Sequence, residues 1–240
     1  MPAASALRRW LAASADFLLP NSCCLCGGKA KAVVCAPCHA QHVAPRRSRC
    51  PRCANPALVD GLCGKCLSDP PAFDATWAAV DYAVPVDQLV LQLKFGGRLA
   101  LAPWCAQVLR DVLLEQAQFS LPDVLCPVPL GPRRLVERGF NQSLEIARPL
   151  AAMLGIALQP RLAWRVVETL PQSSLAPTAR AGNIRQAFTL APDAVVAGKH
   201  IGVVDDVMTS GQTADALAAT FKRLGAARVS MIVFARTPPH

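Results

Sequence analysis

Four Cys-x-x-Cys pairs crowd into residues 23–66, and no other feature of this 240-residue chain limits its folding so tightly. Cys23-x-x-Cys26 is followed after eight residues by Cys35-x-x-Cys38, and Cys50-x-x-Cys53 after nine by Cys63-x-x-Cys66. Each pair predicts a tight knuckle that turns two sulfurs toward one point. Two knuckles supply the four thiolates of a tetrahedral structural zinc site. The near-equal spacing of the blocks reads as a tandem duplication holding two Zn2+ ions. A thioredoxin-like redox pair needs a single Cys-x-x-Cys in a βαβ unit, and an iron–sulfur cluster needs denser spacing. Cys24 is an alternative ligand beside Cys23, and spacing alone leaves open whether pairs combine within a block or between blocks. His39 and His42 read as surface residues, and Cys105 and Cys126 as small buried hydrophobes.

A segment so poor in apolar residues cannot bury enough surface to fold alone, so metal has to hold it together. The remainder can build a core: the chain is 52% hydrophobic and only 17% charged, which excludes wholesale disorder. Its 21 prolines point to short elements. Residues 3–19 place Leu7, Trp10, Leu11, Ala15 and Leu18 at helical spacing. This amphipathic helix is too short and too weakly basic for a stable membrane anchor, so it is expected to dock on the protein body. Arg8-Arg9 ahead of an apolar stretch is no secretion signal, because Ser14 and Asp16 interrupt it. Eleven cysteines without such a signal imply a reducing compartment.

Ser68-Asp69-Pro70-Pro71 reads as a stiff linker. The expected domains are an amphipathic helix over 1–20, a double zinc ribbon over 21–70 and an α/β domain over 71–240. Residues 1–70 hold nine Lys/Arg against three Asp/Glu, while the rest hold sixteen against thirteen. Two zinc tetrathiolates, each of net charge −2, lower the formal charge from +9 to +5. Arg46, Arg47, Arg49 and Arg52 form a basic rim on the second block.

Beyond the linker, strands are expected at Thr76–Tyr82, Asp123–Pro127, Lys199–Asp205 and Arg228–Ala235. Helices are expected at Asp87–Lys94, Ala100–Gln118 (broken early by Pro103), Asn141–Leu154 (bent or broken at Pro149) and Gln212–Leu224. Alternating strands and helices imply a parallel sheet covered on both faces.

Val203-Val204-Asp205-Asp206-Val207-Met208-Thr209-Ser210-Gly211-Gln212-Thr213 carries the chemistry. An apolar strand delivers two acids and then a turn to the carboxyl end of a sheet, where α/β proteins bind ligands. Asp205 and Asp206 offer acceptors for vicinal ribose hydroxyls. Thr209, Ser210, Gly211 and Thr213 offer hydroxyls and open amides at a helix N-terminus, which suit a phosphate. The string resembles the phosphoribosyl-pyrophosphate (PRPP) signature of type I phosphoribosyltransferases, with Ser210 where many members have a second Thr. By that resemblance Asp205 and Asp206 hold the ribose and Val207–Thr213 the 5-phosphate.

Cys126-Pro127-Val128-Pro129-Leu130-Gly131-Pro132-Arg133-Arg134 follows the earlier short strand, and Arg138-Gly139-Phe140-Asn141-Gln142 comes next. The stretch is placed like the loop that clamps pyrophosphate in these enzymes, with Arg133, Arg134 and Arg138 as its cations. Taken singly, these residues are also ordinary solvated arginines, a turn glycine and a helix N-cap at Asn141.

The cysteine knuckles, the Arg-Gly-Phe-Asn-Gln stretch and the Val-Val-Asp-Asp signature, in that order, resemble the ComF family (ComFC and GntX-like proteins). Gln172, Arg180, Asn183 and Phe188 resemble its intervening hood. The resemblance implies a type I phosphoribosyltransferase-like α/β sheet behind a small N-terminal double zinc ribbon. It implies PRPP or a related ribose phosphate as ligand, Mg2+ with PRPP, a cytoplasmic location, and a role in DNA uptake during natural transformation. Single-stranded DNA and competence proteins are the implied partners. Two functions fit: a PRPP-dependent glycosyltransferase, and a non-catalytic adaptor for single-stranded DNA on the same fold. The chain lacks interleaved basic and aromatic residues for base stacking.

Overall fold

A computed structural model describes residues 21–45, 47–57, 61–166 and 187–238. The expected helix over 1–20, Arg46 of the basic rim and Gln172, Arg180 and Asn183 of the hood lie outside those residues.

In the first cysteine block a two-residue ladder, β1 (Asn21–Ser22) with β2 (Lys29–Ala30), precedes helix α1 (Ala36–His42). The second block ends in α2 (Gly64–Ser68). There follow β3 (Ala75–Asp81), α3 (Asp87–Phe95), α4 (Leu101–Glu115), β4 (Val124–Pro127) and α5 (Pro132–Arg138). After these come α6 (Gln142–Leu154), β5 (Ala157–Leu158), β6 (Ala163–Arg165) and β7 (Phe188–Leu190). Strand β8 (His200–Met208), helix α7 (Gln212–Arg223) and strand β9 (Arg228–Arg236) complete the order.

Five strands form one parallel sheet in the order β3-β9-β8-β4-β5. β8 and β9 are almost continuous apolar runs, as central strands covered on both faces must be. One face carries α3, α4 and α6, whose Leu89, Leu93, Leu109, Ile146 and Leu150 are buried with Val204 and Phe234. Leu217 and Phe221 of α7 and Phe188 of the antiparallel pair β6–β7 cover Ile201, Val203 and Met231 on the other. A Cβ on Gly202 would stand 2.6 Å from Leu125 Cδ2 and 2.7 Å from Pro122 Cγ, so only glycine fits where β8 meets β4. Among the described residues no helix is long and apolar enough to cross a membrane.

The cysteine blocks straddle β3, the edge of the sheet. Cys23 and Cys38 join the core beneath α3 and α4, whereas Cys50, Cys53 and Cys66 join the core beneath α7. Thr76 of β3 donates its N–H to Pro51 O (3.0 Å) and its hydroxyl to Arg52 O (2.6 Å). The second block thus caps an edge that would otherwise present open ladder groups. The residues directly after the segment read as a linker are held too, with Ala72 N–H on Asp215 Oδ1 at 2.7 Å and Phe73 2% exposed.

Four local expectations need correction. Pro103 does not break α4, since it sits in the first turn, where its missing N–H has no intrahelical partner to lose. Helix α6 runs through Pro149 without a break. Strand β8 continues to Met208, so both acids lie within the strand. The stretch placed as a pyrophosphate loop contains helix α5, opened by Pro132 and closed by Gly139 at φ 78°.

Candidate functional site

Each cysteine block gathers its own four sulfurs. Cys23, Cys26, Cys35 and Cys38 form one group and Cys50, Cys53, Cys63 and Cys66 the other, with all ligand atoms in a group within 4.8 Å of one another. Cys26 Sγ lies 3.8 Å from Cys35 Sγ, and Cys53 Sγ 3.6 Å from Cys63 Sγ. A tetrahedron with Zn–S of about 2.3 Å has edges of about 3.8 Å, so the spacing suits zinc and is far too wide for disulfides. Amides of Leu25 and Cys35 point at Cys23 Sγ, and that of Cys63 at Cys50 Sγ, at 3.3–3.4 Å. Such donors stabilise thiolates. These are two zinc-binding sites of four cysteines each.

Cys24 belongs to neither group. Its carbonyl accepts from Gln92 Nε2 (2.9 Å) and its sulfur from Arg98 Nη1 (3.0 Å). Cys105 and Cys126 are 2% and 0% exposed, and burial pushes the Cys126 thiol up to about 12. His39 meets Trp104 edge-on at 6.2 Å. Of the basic rim, Arg49 pairs with Asp81 at 2.7 Å and Arg47 with the same carboxylate at 3.4 Å, so one carboxylate answers part of that charge.

The two acids of β8 have different surroundings. Asp206 is 2% exposed; its Oδ2 meets Lys94 Nζ at 2.6 Å and its Oδ1 accepts from Gln142 Nε2 at 3.1 Å. Arg138 Nη1 holds Gln142 Oε1 at 2.5 Å, and its guanidinium lies 5.0 Å from the centre of the Phe95 ring. Arg138, Gln142, Asp206 and Lys94 form one polar chain, buried at Gln142 and Asp206 and half-buried at its two ends. Asp205 is half-buried; its Oδ1 accepts from Ser143 Oγ (2.8 Å) and the Asp206 amide (2.9 Å). Burial, then the charge of Asp206, pushes the Asp205 carboxyl up to about 7, against the opposing pull of Ser143 and Lys94.

Asn141 orients the donors on α6. Its Oδ1 accepts from the amides of Ser143 and Leu144 and its Nδ2 donates to Val128 O (3.0 Å), tying the helix start to the end of β4. Gln142 and Ser143 then face the acids.

The turn lies beyond the acids at the carboxyl end of β8. Thr209, Ser210 and Gln212 are exposed or half-buried, Thr213 is half-buried, and Gly211 caps α7 at φ 82°. Open hydroxyls and the first amides of a 12-residue helix make this an anion-accepting end. The Met208 side chain is in the core (3% exposed) and Val207 packs against the opposite cluster, so of Val207–Thr213 only the turn faces outward. Arg133 and Arg134 are exposed on α5, Arg133 pairing with Glu137 at 2.7 Å; Arg138 alone of the three reaches the acid pair, through Gln142.

Lys94, Ser143 and Arg236 escaped the sequence reading. A lysine in the last turn of a helix is ordinary macrodipole chemistry and carries no flag. Arg236 is a charge at the end of an apolar strand, and that burial was the available signal.

A parallel sheet with an acid pair and an anion-accepting turn at its carboxyl end, edged by two zinc-binding cysteine blocks, defines a phosphoribosyltransferase-like α/β protein with a double zinc ribbon. Residues 14–67 match the family described as "Double zinc ribbon domain". "DNA utilization protein YhgH" of Salmonella typhimurium is 39% identical over 208 residues, covering 85% of this chain and 90% of that protein. Its Escherichia coli K12 counterpart is 35% identical over 195 residues, covering 80% and 85%. "Competence protein F" of Haemophilus influenzae is 29% identical over 179 residues, covering 72% and 78%. The chain belongs to the ComF family. Among solved structures, a purine phosphoribosyltransferase from Pyrococcus horikoshii aligns at 19% identity and TM-score 0.32, over 53% of this chain and 70% of that one. An adenine phosphoribosyltransferase from Thermoanaerobacter pseudethanolicus aligns at 17% and 0.31, over 59% and 82%. Scores that low add nothing to the strand order, which defines the fold here.

Proposed function

We propose that this chain binds PRPP or a related ribose phosphate at the carboxyl end of β8 and serves DNA uptake in the cytoplasm. One observation carries the reading: two acids and a hydroxyl-rich helix N-terminus are delivered together by β8, with cations on the neighbouring elements. In this reading Asp205 and Asp206 accept from the ribose hydroxyls. The turn Thr209–Thr213 takes the 5-phosphate, and Arg138, with Arg133 and Arg134, faces the pyrophosphate. Lys94 keeps Asp206 neutralised in the free protein and passes to an anionic oxygen of the ligand when the ribose takes its place. The Asp205 carboxylate is a hard oxygen donor, which suits Mg2+ held there and mainly by ligand oxygens. Bound there, the ion would neutralise the pyrophosphate leaving group. The protein's own contribution is positioning and charge stabilisation, because an oxocarbenium-like transition state needs little covalent help. The division at 68–71, between a zinc-held module and the α/β body, belongs to the same proposal.

The DNA role is supported by the names of the relatives, a DNA utilization protein and a competence protein. Calorimetry with Mg2+ and PRPP tests the site: Asp205→Asn/Asp206→Asn is expected to abolish binding, and unchanged binding would overturn the assignment. Pyrophosphate release across a panel of bases and amines tests turnover. A single-stranded-DNA adaptor predicts instead oligonucleotide affinity that falls linearly on a log–log salt plot, without pyrophosphate release.

A further inference from the structure

We propose that Arg236 makes the shape of the phosphate turn depend on the second zinc knuckle, so that metal at Cys50/Cys53/Cys63/Cys66 is a condition for ligand binding. The inference rests on the turn being the phosphate site. Arg236 ends β9 at 6% exposure. Its Nε donates to Cys53 O at 2.9 Å. Its Nη1 donates to Met208 O at 2.9 Å, to Thr237 O at 2.7 Å and to Thr209 O. All four partners are backbone carbonyls. One belongs to a zinc ligand residue and two to the entry of the turn.

Peptide geometry turns this contact into control of the turn. In a planar trans peptide the C=O of one residue and the N–H of the next point in opposite directions. Drawing the Met208 and Thr209 carbonyls toward Arg236 therefore aims the Thr209 and Ser210 amides away from it. The knuckle and the turn also face each other across a cavity of about 700 Å³, lined by Cys53, Lys65 and Cys66 on one side and Ser210, Gly211 and Gln212 on the other. The planar guanidinium spans the two by its fixed fork of donors, which a lysine cannot copy in full.

Metal enters through Cys53. Its sulfur and its carbonyl belong to one residue, so a zinc-fixed sulfur fixes the carbonyl that Arg236 reads. A zinc tetrathiolate of net charge −2 also stands beside this buried cation. Without the ion the four sulfurs lose their common anchor and Arg236 loses one end of its bridge. The first zinc site is tied elsewhere: Cys24, next to its ligand Cys23, receives Gln92 and Arg98, which flank Lys94.

Arg236→Met, Arg236→Lys, Cys63→Ser and Cys35→Ser of the full chain test this by zinc content, amide hydrogen exchange and PRPP titration. Arg236→Met should keep two zinc ions, speed exchange at Thr209–Thr213 and raise the PRPP Kd, each roughly tenfold, as expected for lost charged hydrogen bonds. Arg236→Lys should recover part of both, and it carries the same test should Arg236→Met not fold. Cys63→Ser should lose one zinc and speed the turn as Arg236→Met does. Cys35→Ser should lose one zinc and leave exchange at Thr209–Thr213 at the wild-type rate. Unchanged exchange in Arg236→Met, or equal acceleration in both cysteine variants, would overturn the proposal. If the wild type binds neither PRPP nor inorganic phosphate, the phosphoribosyl reading fails, while the exchange comparison still decides whether Arg236 links knuckle to turn.

Discussion

Lys94→Met tests how the acid pair is held in the free protein. At 2.6 Å the Lys94–Asp206 attraction is about 6 kcal/mol gross at an effective dielectric of about 20. Most of that offsets the desolvation of both groups. The side chains are 21% and 3% exposed, so removing the ammonium strands a carboxylate that water barely reaches. Among the described residues only Gln142, at 3.1 Å, remains a side-chain donor to it. Breaking such a pair costs about 3 to 5 kcal/mol. We expect the lower end, about 3 kcal/mol, because Lys94 is partly solvated and methionine fills its stem. For a chain of this size that is a fall in Tm of about 6–12 °C. The assay is urea unfolding of the zinc-loaded protein in a double-mutant cycle with Asp206→Asn. The double variant leaves no buried charge unpaired, so its cost should fall short of the summed single costs by about 1.5 kcal/mol or more. Additivity within about 0.5 kcal/mol would refute the reasoning, because the pair would then be screened by solvent.

Three further outcomes are expected. The Asp205 carboxyl is raised from 3.8 to about 7, so the native protein binds that proton more tightly than the unfolded chain does. Its contribution to stability therefore falls as pH rises from about 4 to about 7 and is flat above that. Ligand binding runs the other way: an ionised carboxylate is the better hydroxyl acceptor, so PRPP affinity should rise from about pH 6 to about pH 8. A pH titration by calorimetry should show that rise in the wild type and lose it in Asp205→Asn; an equal rise in the variant would shift the cause elsewhere. Gly202→Ala should cost about 1–3 kcal/mol, since its Cβ would meet Leu125 and Pro122 inside 3 Å. Urea unfolding with no loss would show that β8 and β4 can move apart there.

Where the chemistry is local, residue order made it legible. Cys-x-x-Cys geometry spans four residues, and strand β8 with its turn is one continuous segment, so both could be read directly. Boundaries were less legible. Asp206, Val207 and Met208 extend β8 beyond its expected end at Asp205 because β9 pairs alongside as far as Met208↔Arg236, and a polar residue at a strand end says nothing of how far a neighbour reaches. Helix α5 had its Pro and Gly signals at 132 and 139, but all its residues are exposed or half-buried, so no apolar period marked it. The three-residue strands β6 and β7 are too short to show alternation.

By itself the sequence determined that metal organises residues 23–66 and that two acids and a hydroxyl-rich turn end a buried strand. Both follow from short-range spacing and local backbone geometry. Only the tertiary structure decided which charges answer the acids. Lys94, Gln142 and Asp206 lie far apart in the chain and meet because parallel strands return every carboxyl end to one edge. It also decided that the second knuckle reaches the turn, since Arg236 touches Cys53 and Met208 only after β9 has paired beside β8. Pairing between distant segments depends on the whole sheet, and no local spacing encodes it.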